Sequence, residues 1–586
     1  MIIQFENRQT FGYTFDLQCC LLPNQITEFY VRVTVLLGSY RSDLKKEFEG
    51  YNSGKLAKDL MAGLTVAAVA LPLALAFGVS SGADAASGLI TAIIAGLVIS
   101  ALSGGFYQIS GPTGAMAAVL ASIIAKYQLQ GVFIATLLAG VILIIAGFLH
   151  LGKLTAFLPA PVITGFTSGI AIIIALGQLD NFFGVKSVGD SAIAKLFSYF
   201  KYGFSPNPYA LGIGLLVIVF MLVFPKKWNA VVPASLLGII IATSLSMLLK
   251  LNIETVGEIP KTLLPAARLS LSDLSLKQIT GLLSPALNIA MLGMIESLLC
   301  GSSAGRMTGK RLNSDQELIA QGIGNMILPF FGGIPATAAI ARTSVAIKSG
   351  AQTRLTGVFH ALGLLISMFL LAPVMSAIPL AALAGVLLVT AWRMNEWESI
   401  EFIFSHRFKG AMIKYLATML ATLLFDLTTA ILIGVLIALV LLAKRLSVIE
   451  INYDKVDMNR IGVTDDILRQ RYRNSNVVYI TGPLIFANTQ NIEAILNNIN
   501  CDCDTLIFSM RGVSHMDISG AQALLGVIKR LEAQGIDIII CGLPKGAMEI
   551  MRRSGITDIL GESSFYWSVE RTLLDNRPYQ KKCAAV

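Results

Sequence analysis

The sequence predicts a polytopic α-helical membrane protein with fourteen transmembrane spans in a 7+7 inverted repeat, followed by a small cytoplasmic α/β domain. Three observations support this fold class. The 586 residues are 55% hydrophobic and only 14% charged, a balance that soluble domains rarely show. Apolar runs of about twenty residues recur between Leu60 and Leu442, as membrane-spanning helices require. Two similar segments rich in glycine, with a proline each, lie seven spans apart within these runs.

Composition also divides the chain into domains. We expect an N-terminal extension at 1–54, cytoplasmic and partly disordered, and a transmembrane domain at 55–445. A linker at 446–475 precedes the α/β domain at 476–575, and 576–586 form a C-terminal tail. The net charge of +9 fits Lys and Arg collected on cytoplasmic loops, so nucleic acid is not an expected partner. The seven cysteines lack metal-site spacing, so we expect neither a metal nor a cofactor.

The apolar runs set the number and direction of the spans. They predict spans at 58–78, 86–102, 111–126, 131–149, 154–178, 207–224, 231–249, 284–300, 314–330, 335–348, 355–373, 376–391, 409–425 and 429–443. An even number places both termini on one side of the membrane. The short loops after even-numbered spans carry most of the loop Lys and Arg, for example Lys153, Lys310 and Lys348. Because cytoplasmic loops are enriched in these residues, both termini and the α/β domain are predicted to be cytoplasmic.

The two similar segments point to an anion site. The first Gly-Pro segment, residues 104–119, reads GGFYQISGPTGAMAAV and opens span 3; the second, residues 332–347, reads GGIPATAAIARTSVAI and opens span 10. Seven spans between them invert the second copy, a pattern of secondary transporters. We expect Pro112 and Pro335 in the first turns of two short helices. Their N-termini would face each other near the midplane, each with about half a positive charge. The alternative is a pair of ordinary kinks with close packing of small residues.

Two ionisable residues lie inside predicted spans. Arg342, in span 10, adds a fixed positive charge beside the proposed site; alternatively, it forms a structural ion pair between two bundles. Glu296, in span 8, is the only acid well inside that span. It can take up a proton, bind Na⁺ with nearby oxygens, or simply pair with Arg342. Proton or Na⁺ coupling would offset the cost of carrying an anion inward against a negative membrane potential.

The C-terminal part alternates strand and helix patterns. NVVYITGPLIFAN is predicted as a strand pair, and DTLIFSMRGV and DIIICGL as strands. SGAQALLGVIKRLEAQG and PKGAMEIMRRSGI have helical periodicity, with Ser519 as the expected N-cap of the first helix. The alternation predicts an α/β domain. The whole chain lacks a Walker loop and a nucleophile motif, so the sequence favours neither an ATP-driven pump nor an enzyme.

These motifs resemble a known family. QISGPTGAMAAVLASI, NSDQELIAQGIGN and FGGIPATAAIARTSVAI followed by TRLTG are similar to the SulP anion transporters, whose animal relatives include prestin. GPLIFANTQNI, LIFSMRGVSHMDISGAQAL and GLPKGAMEIMRRSGI resemble the STAS domain. Together they cover about residues 55 to 575. The resemblance implies a core bundle of spans 1–4 and 8–11 that moves, elevator-like, past a gate bundle of spans 5–7 and 12–14, usually in a homodimer.

The resemblance also implies site residues. By matching motifs, the anion would be bound by Phe77, Thr113, Gly114, Ala115, Ala339, Ala341 and Arg342, with Glu296 as the ion-coupling residue. At Ala341 some relatives have serine, so a backbone N–H has to replace that hydroxyl. In anti-sigma relatives a serine after the aspartate of MDISGAQ is phosphorylated, whereas Ile518 fills that place here. We therefore expect a STAS domain that regulates or binds an unidentified cytoplasmic partner rather than a phosphorylation switch.

The resemblance favours a secondary active transporter of inorganic anions in the inner or plasma membrane. Sulfate:proton symport through Glu296 is the leading expectation. Na⁺-coupled bicarbonate uptake and proton-coupled C4-dicarboxylate uptake are alternatives within the same class. A passive anion channel, a voltage-driven motor and a STAS-based membrane sensor are alternatives of other classes.

Overall fold

The computed structural model describes residues 40–153, 158–187, 204–225, 233–270, 276–425, 427–456, 466–490 and 503–574, with a few single positions between these ranges. It divides into two compact units, Met1–Val435 and Leu436–Val586, and the boundary falls within the last apolar helix, Leu427–Leu446.

The first unit consists mainly of apolar helices. In chain order they are α1 (Ser53–Ser80), α2 (Ala85–Leu102), α3 (Gly114–Phe148), α4 (Ala160–Gly177), α5 (Pro208–Val223), α6 (Ala234–Leu248), α7 (Leu283–Thr308), α8 (Ser314–Ile327), α9 (Ile340–Lys348), α10 (Leu355–Ser376), α11 (Leu380–Met394), α12 (Lys409–Leu424) and α13 (Leu427–Leu446). Shorter helices occupy Leu179–Phe183, Leu276–Gly281 and Trp397–Ser405, and a 3₁₀ turn occupies Leu328–Phe331.

All fourteen predicted spans fall on these helices. Spans 3 and 4 share α3, which is broken at Gln128, where φ is 59° and ψ is −177°. Among the described residues, seven helices are long and apolar enough to cross a membrane alone. Several of the others are shorter apolar helices, which suits a protein whose spans are partly broken.

The helices pack as two bundles. Helices α1, α2, α3, α7, α8 and α10 pack mainly on one another, and so do α4, α5, α6, α11 and α12. Small residues allow the closest approaches: a Cβ at Gly140 of α3 would lie 2.6 Å from the carbonyl oxygen of Gly322 on α8, and one at Gly165 of α4 would lie 2.4 Å from that of Tyr415 on α12. Such glycines allow two helix backbones to pack closely. Close packing matters in a membrane, because lipid provides no hydrophobic driving force for helix association. The grouping matches the expected core and gate bundles.

The two Gly-Pro segments cross as a short antiparallel pair of strands. Strand β1 (Ser110–Gly111) pairs with β2 (Thr337–Ala338). The expected first-turn prolines are therefore wrong. Pro112 precedes the N-cap of α3, and Pro335 lies five residues before α9 begins. Both prolines lie outside the helices because the neighbouring strand residues use their backbone groups to pair with each other before each helix starts.

Part of the expected N-terminal extension packs on the first unit. Residues 40–47 are helical, and the buried Glu47 carboxylate forms an ion pair of 2.7 Å with Arg354 at the start of α10. Arg354 also donates to the carbonyl oxygens of Ala101 and Ser103, at 3.0 and 3.1 Å. The guanidinium thus joins the N-terminal helix, the end of α2 and the start of α10. Residues 1–37 lie outside the described residues.

A second buried carboxylate, Asp59 of α1, also accepts hydrogen bonds from the start of α10. It accepts hydrogen bonds from the backbone N–H groups of Gln352 (2.6 Å) and Thr353 (3.1 Å) and from the hydroxyl of Thr356 (2.8 Å). The Tyr51 hydroxyl donates to it at 2.9 Å. Burial, followed by the hydrogen bond to Asp59 and then the Asp59 charge, raises the pKa of Tyr51 to about 12.

The second unit contains a five-stranded sheet in the order β3 (Glu450–Lys455), β4 (Ser475–Thr481), β5 (Thr505–Gly512), β6 (Asp537–Cys541) and β7 (Phe565–Tyr566). Strand β3 is antiparallel to β4, and the other neighbours are parallel. The helices of this unit are α14 (Ile518–Ala533) and α15 (Lys545–Arg553). Shorter helices occupy Asp466–Arg471, Ile556–Leu560 and Val569–Leu573. Alternating strands and helices make the expected α/β domain.

Three local expectations in this unit are corrected. Strand β3 lies inside the stretch 446–475 that was assigned to a linker. The predicted strand pair in NVVYITGPLIFAN is one strand followed by a 3₁₀ turn, Phe486–Asn488. The N-cap of α14 is Asp517, not Ser519, since the Asp517 carboxylate accepts from the Gly520 N–H at 2.8 Å. Asp517 also accepts from the Phe486 N–H at 2.8 Å, a contact across the fold that the sequence does not reveal.

Candidate anion site

The strand crossing brings the N-termini of two helices together. Ser110 pairs with Ala338 and Gly111 with Thr337. Helix α3 starts just after the first strand, capped by the Thr113 side chain, and α9 starts just after the second. The N-cap of α9, Ala339, offers no side-chain hydrogen bond, so the first N–H groups of α9 lack a side-chain cap. Two helix N-termini at one place create a region of positive potential.

Glu296 of α7 bridges the two segments. Its Oε2 atom accepts hydrogen bonds from the hydroxyls of Thr113 (2.8 Å) and Thr337 (2.6 Å), and these two hydroxyl oxygens lie 3.2 Å apart. The Glu296 side chain is half-buried. One carboxylate oxygen therefore joins the cap of α3 to the strand that leads into α9.

Arg342 packs against the first strand of the crossing. It is the third residue of α9 and is only 2% exposed. Its Nη2 atom donates to the carbonyl oxygen of Pro112, and a Cβ on Gly111 would lie 2.5 Å from its Nη1 atom. The ion pairs among the described residues do not include one between Arg342 and Glu296. The geometry thus gives no support to the simple Arg–Glu pair that the sequence left open.

The remaining predicted site residues surround the two helix starts. The Phe77 ring of α1 is buried, and a Cβ on Gly114 would lie 3.1 Å from its edge. Ala115 is fully buried, so it can present only its backbone. Ala339 is half-buried and Ala341 exposed. All eight predicted residues lie on the two helix starts or on the helices α1 and α7, and their contact with an anion stays a prediction.

Sequence reasoning missed a row of polar residues on α8 that supports the crossing. Asn325 holds both backbone groups of Ala336: its Oδ1 accepts from the N–H at 2.8 Å and its Nδ2 donates to the carbonyl at 2.9 Å. Gln321 donates to the Ser110 hydroxyl of β1 at 2.8 Å and to Glu317 at 2.8 Å. All three α8 side chains are essentially buried. Asn325 thus satisfies backbone groups that lie outside any helix, and Gln321 holds β1 to α8 through the Ser110 hydroxyl.

A sequence signal for this row existed. Glu317, Gln321 and Asn325 recur at intervals of four in NSDQELIAQGIGN, which places them on one face of a helix. Three large polar side chains on one face of a membrane helix have to meet polar partners inside the protein. That partner could not be named from the sequence, because the pairing of α8 with β1 depends on the fold.

Comparison with protein families agrees with this architecture. Residues 56–418 match the model described as the sulfate permease family, and residues 467–572 match the STAS domain. A putative sulfate transporter, YvdB of Bacillus subtilis (strain 168), is 36% identical over 531 residues, which cover 89% of this chain and 97% of the relative. The bicarbonate transporter BicA of Picosynechococcus sp. is 32% identical over 509 residues, covering 83% and 88%.

Solved structures show the same fold. The transmembrane domain of a cyanobacterium bicarbonate transporter BicA, 33% identical, matches with a TM-score of 0.60 over 64% of this chain and 97% of that one. The overall structure of SLC26A9 matches with a TM-score of 0.76 at 18% identity, over 97% of each chain. The fourteen-span fold with a C-terminal STAS domain is therefore confirmed. The protein is a multi-pass membrane protein that belongs to the sulfate permease (SulP) family of anion transporters.

Proposed function

We propose that the protein carries sulfate together with a proton, by an elevator-like movement of the core bundle past the gate bundle. The observation that supports this most directly is the convergence of two helix N-termini and Arg342 at the strand crossing, with Glu296 hydrogen-bonded to both segments. Two half charges and one guanidinium amount to about +2. That sum matches a doubly charged anion when Glu296 is neutral.

The position of Glu296 supplies a mechanism for coupling. An ionised Glu296 would repel an anion held at the same helix starts. At about 6 Å and a relative permittivity of about 20, the repulsion is about 3 kcal/mol per unit charge, or about a hundredfold in affinity. Protonation removes it, so a proton and an anion bind more readily together than separately. Thr113 links the two events because the same side chain caps α3 and donates to Glu296.

Bicarbonate is the second candidate substrate. The specific reason is similarity to BicA, which is named a bicarbonate transporter and is 32% identical over most of both chains. In this case Na⁺ would take the place of the proton. Glu296 Oε2 and the hydroxyls of Thr113 and Thr337 lie within hydrogen-bond distance of one another, and hard cations prefer such oxygen ligands. Proton-coupled C4-dicarboxylate uptake remains a third outcome of the test below.

The decisive experiment measures uptake of labelled sulfate, bicarbonate and fumarate into liposomes that contain the full-length protein. Each anion is tested under an inward pH gradient, an inward Na⁺ gradient and no gradient. We expect sulfate to accumulate under the pH gradient. A carrier moves far less charge per second than a channel, so current recordings on the same liposomes separate the two classes.

Glu296→Gln provides the test of the coupling residue. Glutamine keeps the side-chain volume and one oxygen acceptor, but its amide neither takes up nor releases a proton. We therefore expect anion exchange to persist, while the pH gradient no longer drives accumulation. Glu258→Gln changes an exposed carboxylate that lies in a loop rather than on α7; it is the matched control and should behave as wild type. If the pH gradient drives Glu296→Gln as strongly as wild type, the assignment of Glu296 is wrong.

The STAS domain and the assembly complete the proposal. Ile518 stands 74% exposed beside the N-cap of α14, where it offers no hydroxyl to a kinase. We propose that this domain binds a cytoplasmic regulatory partner and that the transporter works as a homodimer with both termini in the cytoplasm.

A further inference from the structure

In the part of the chain that the structure describes, four buried side chains around the crossing have polar atoms without partners, namely Gln108, Gln321, Arg342 and His360, and Arg342 and His360 both lie against helix α2. Among the described residues, Nη1 of Arg342 has no hydrogen-bond partner, and the ring nitrogens of His360 have none of good geometry, although the backbone of Gly357 on the same helix lies close enough to act on the ring. His360 lies on α10 and is completely buried, and Arg342 is 2% exposed. Buried polar atoms in proteins are nearly always hydrogen-bonded to protein or to ordered water. Two such side chains in one region call for a common explanation.

Helix α2 shows that they line the same face. A Cβ on Gly111 would lie 2.5 Å from Arg342 Nη1 and 3.4 Å from the Cα atom of Ala92. One turn further along α2, a Cβ on Gly96 would lie 3.2 Å from His360 Nδ1. Four residues of helix rise about 6 Å. A water molecule between the Arg342 and His360 nitrogens requires them to lie no more than about 5.6 Å apart, since each of its two hydrogen bonds is about 2.8 Å long.

The chemistry of the two groups is complementary. A guanidinium nitrogen can only donate, whereas a neutral imidazole has one nitrogen that accepts and one that donates. A water molecule can accept from Arg342 and donate to His360, and buried waters usually bridge protein groups of this kind. Gly96 is the residue that leaves room for the ring, since its Cβ would also come within 2.9 Å of the Ala361 Cβ.

We propose that a buried water molecule joins Arg342 Nη1 to His360, and that His360 is a positioning residue for the guanidinium. With Nη2 fixed on Pro112 and Nη1 fixed through the water, the guanidinium cannot turn away from the crossing. This inference rests on the proposed function, because it assigns His360 an indirect part in anion affinity. His360 itself does not touch the anion.

The test compares three variants of the full-length protein in liposomes, with labelled sulfate and labelled bicarbonate as the probes. His360→Leu fills the space but cannot accept a hydrogen bond, so the KM for the transported anion should rise about tenfold with a smaller change in maximal rate. His360→Gln restores an acceptor and should return the KM to within about threefold of wild type. Leu364→Ala disturbs packing one turn along the same buried face and should leave the KM unchanged.

The outcomes separate positioning from packing. A folded His360→Leu with an unchanged KM overturns the proposal, and so does a His360→Gln that fails as badly as His360→Leu. An equal rise of KM in Leu364→Ala would show that packing alone is responsible. If wild type carries neither probe, the proposed substrates fail, and the inference is then judged by an experimental map that resolves ordered water. Density joining Arg342 Nη1 to His360 supports the inference; a dry gap there refutes it.

Discussion

At the scale of single residues, Gly111 decides how close Arg342 can come to the crossing. Its backbone belongs to β1, and any Cβ there would occupy the space of the guanidinium, 2.5 Å from Nη1. The buried charge has few other places to go, because a guanidinium cannot lose its proton and is expensive to leave without partners. The sequence showed a glycine in the first Gly-Pro segment and an arginine in the second; only the fold shows that each requires the other.

Gly111→Ala should therefore abolish most transport while leaving the protein inserted. The added methyl group pushes the guanidinium off the Pro112 carbonyl, so we expect initial anion uptake to fall at least about tenfold. Uptake into liposomes checks this, with the transporter amount in each preparation measured in parallel.

Gly212 lies on helix α5, and a Cβ there would have no other atom of the described residues within 4 Å. Gly212→Ala is therefore the matched control. Alanine in an open helical position is neutral to stabilising by about 0.5–1 kcal/mol. Normal transport by Gly111→Ala would mean that the guanidinium does not need its observed place.

At the scale of elements, each helix start depends on a particular cap, and sequence patterns located these caps only approximately. In α14 the cap is Asp517, whose two carboxylate oxygens hold Gly520 of its own helix and Phe486 of a neighbouring turn. Ser519 was the expected cap since hydroxyls commonly fill that position. The structure starts the helix one residue before Ser519, at Ile518, because the aspartate can satisfy donors on two elements at once.

Asp517→Ala should destabilise the start of α14 by about 1–2 kcal/mol. Hydrogen exchange of the full-length protein, followed by mass spectrometry, should show faster exchange in peptides that cover 518–533. Ser519→Ala is the matched control and should exchange as wild type, given that its hydroxyl does not cap the helix. If Ser519→Ala accelerates exchange as much as Asp517→Ala, the cap assignment is mistaken.

At the scale of the whole molecule, the even number of spans and the charge of the loops predict the orientation of the chain in the membrane. Loops that follow even-numbered spans hold Lys and Arg, whereas the short loops on the other side hold almost none. The structure keeps the cationic Lys310 and the acidic Glu258 exposed on different loops of the first unit. The positive-inside rule then assigns Lys310 to the cytoplasm.

Thiol labelling checks this orientation in a variant whose seven native cysteines are replaced by serine. In intact cells, a membrane-impermeant maleimide should label Glu258→Cys and should leave Lys310→Cys unlabelled until the membrane is permeabilised. The reverse pattern would place both termini outside and would contradict the proposed direction of the site.

The amino-acid sequence alone predicts the span count, the helical and α/β classes of the two units, and the two segments that form the crossing. These follow from apolar length, residue periodicity and glycine–proline placement, which are local properties of the chain. It also indicates Arg342 and Glu296 as candidate site residues, since charged residues inside apolar runs are rare.

The folded structure, in contrast, shows which groups meet. It pairs Ser110 with Ala338 across more than two hundred residues, and it brings Gln321 of α8 into hydrogen-bond contact with Ser110 of β1. It likewise puts Arg342 against Gly111, and the ion pairs among the described residues include none between Arg342 and Glu296. Buried backbone and charged groups have to find partners when water and lipid offer none. Which partner each one finds depends on distances between elements that are remote in the chain, so no local pattern encodes it.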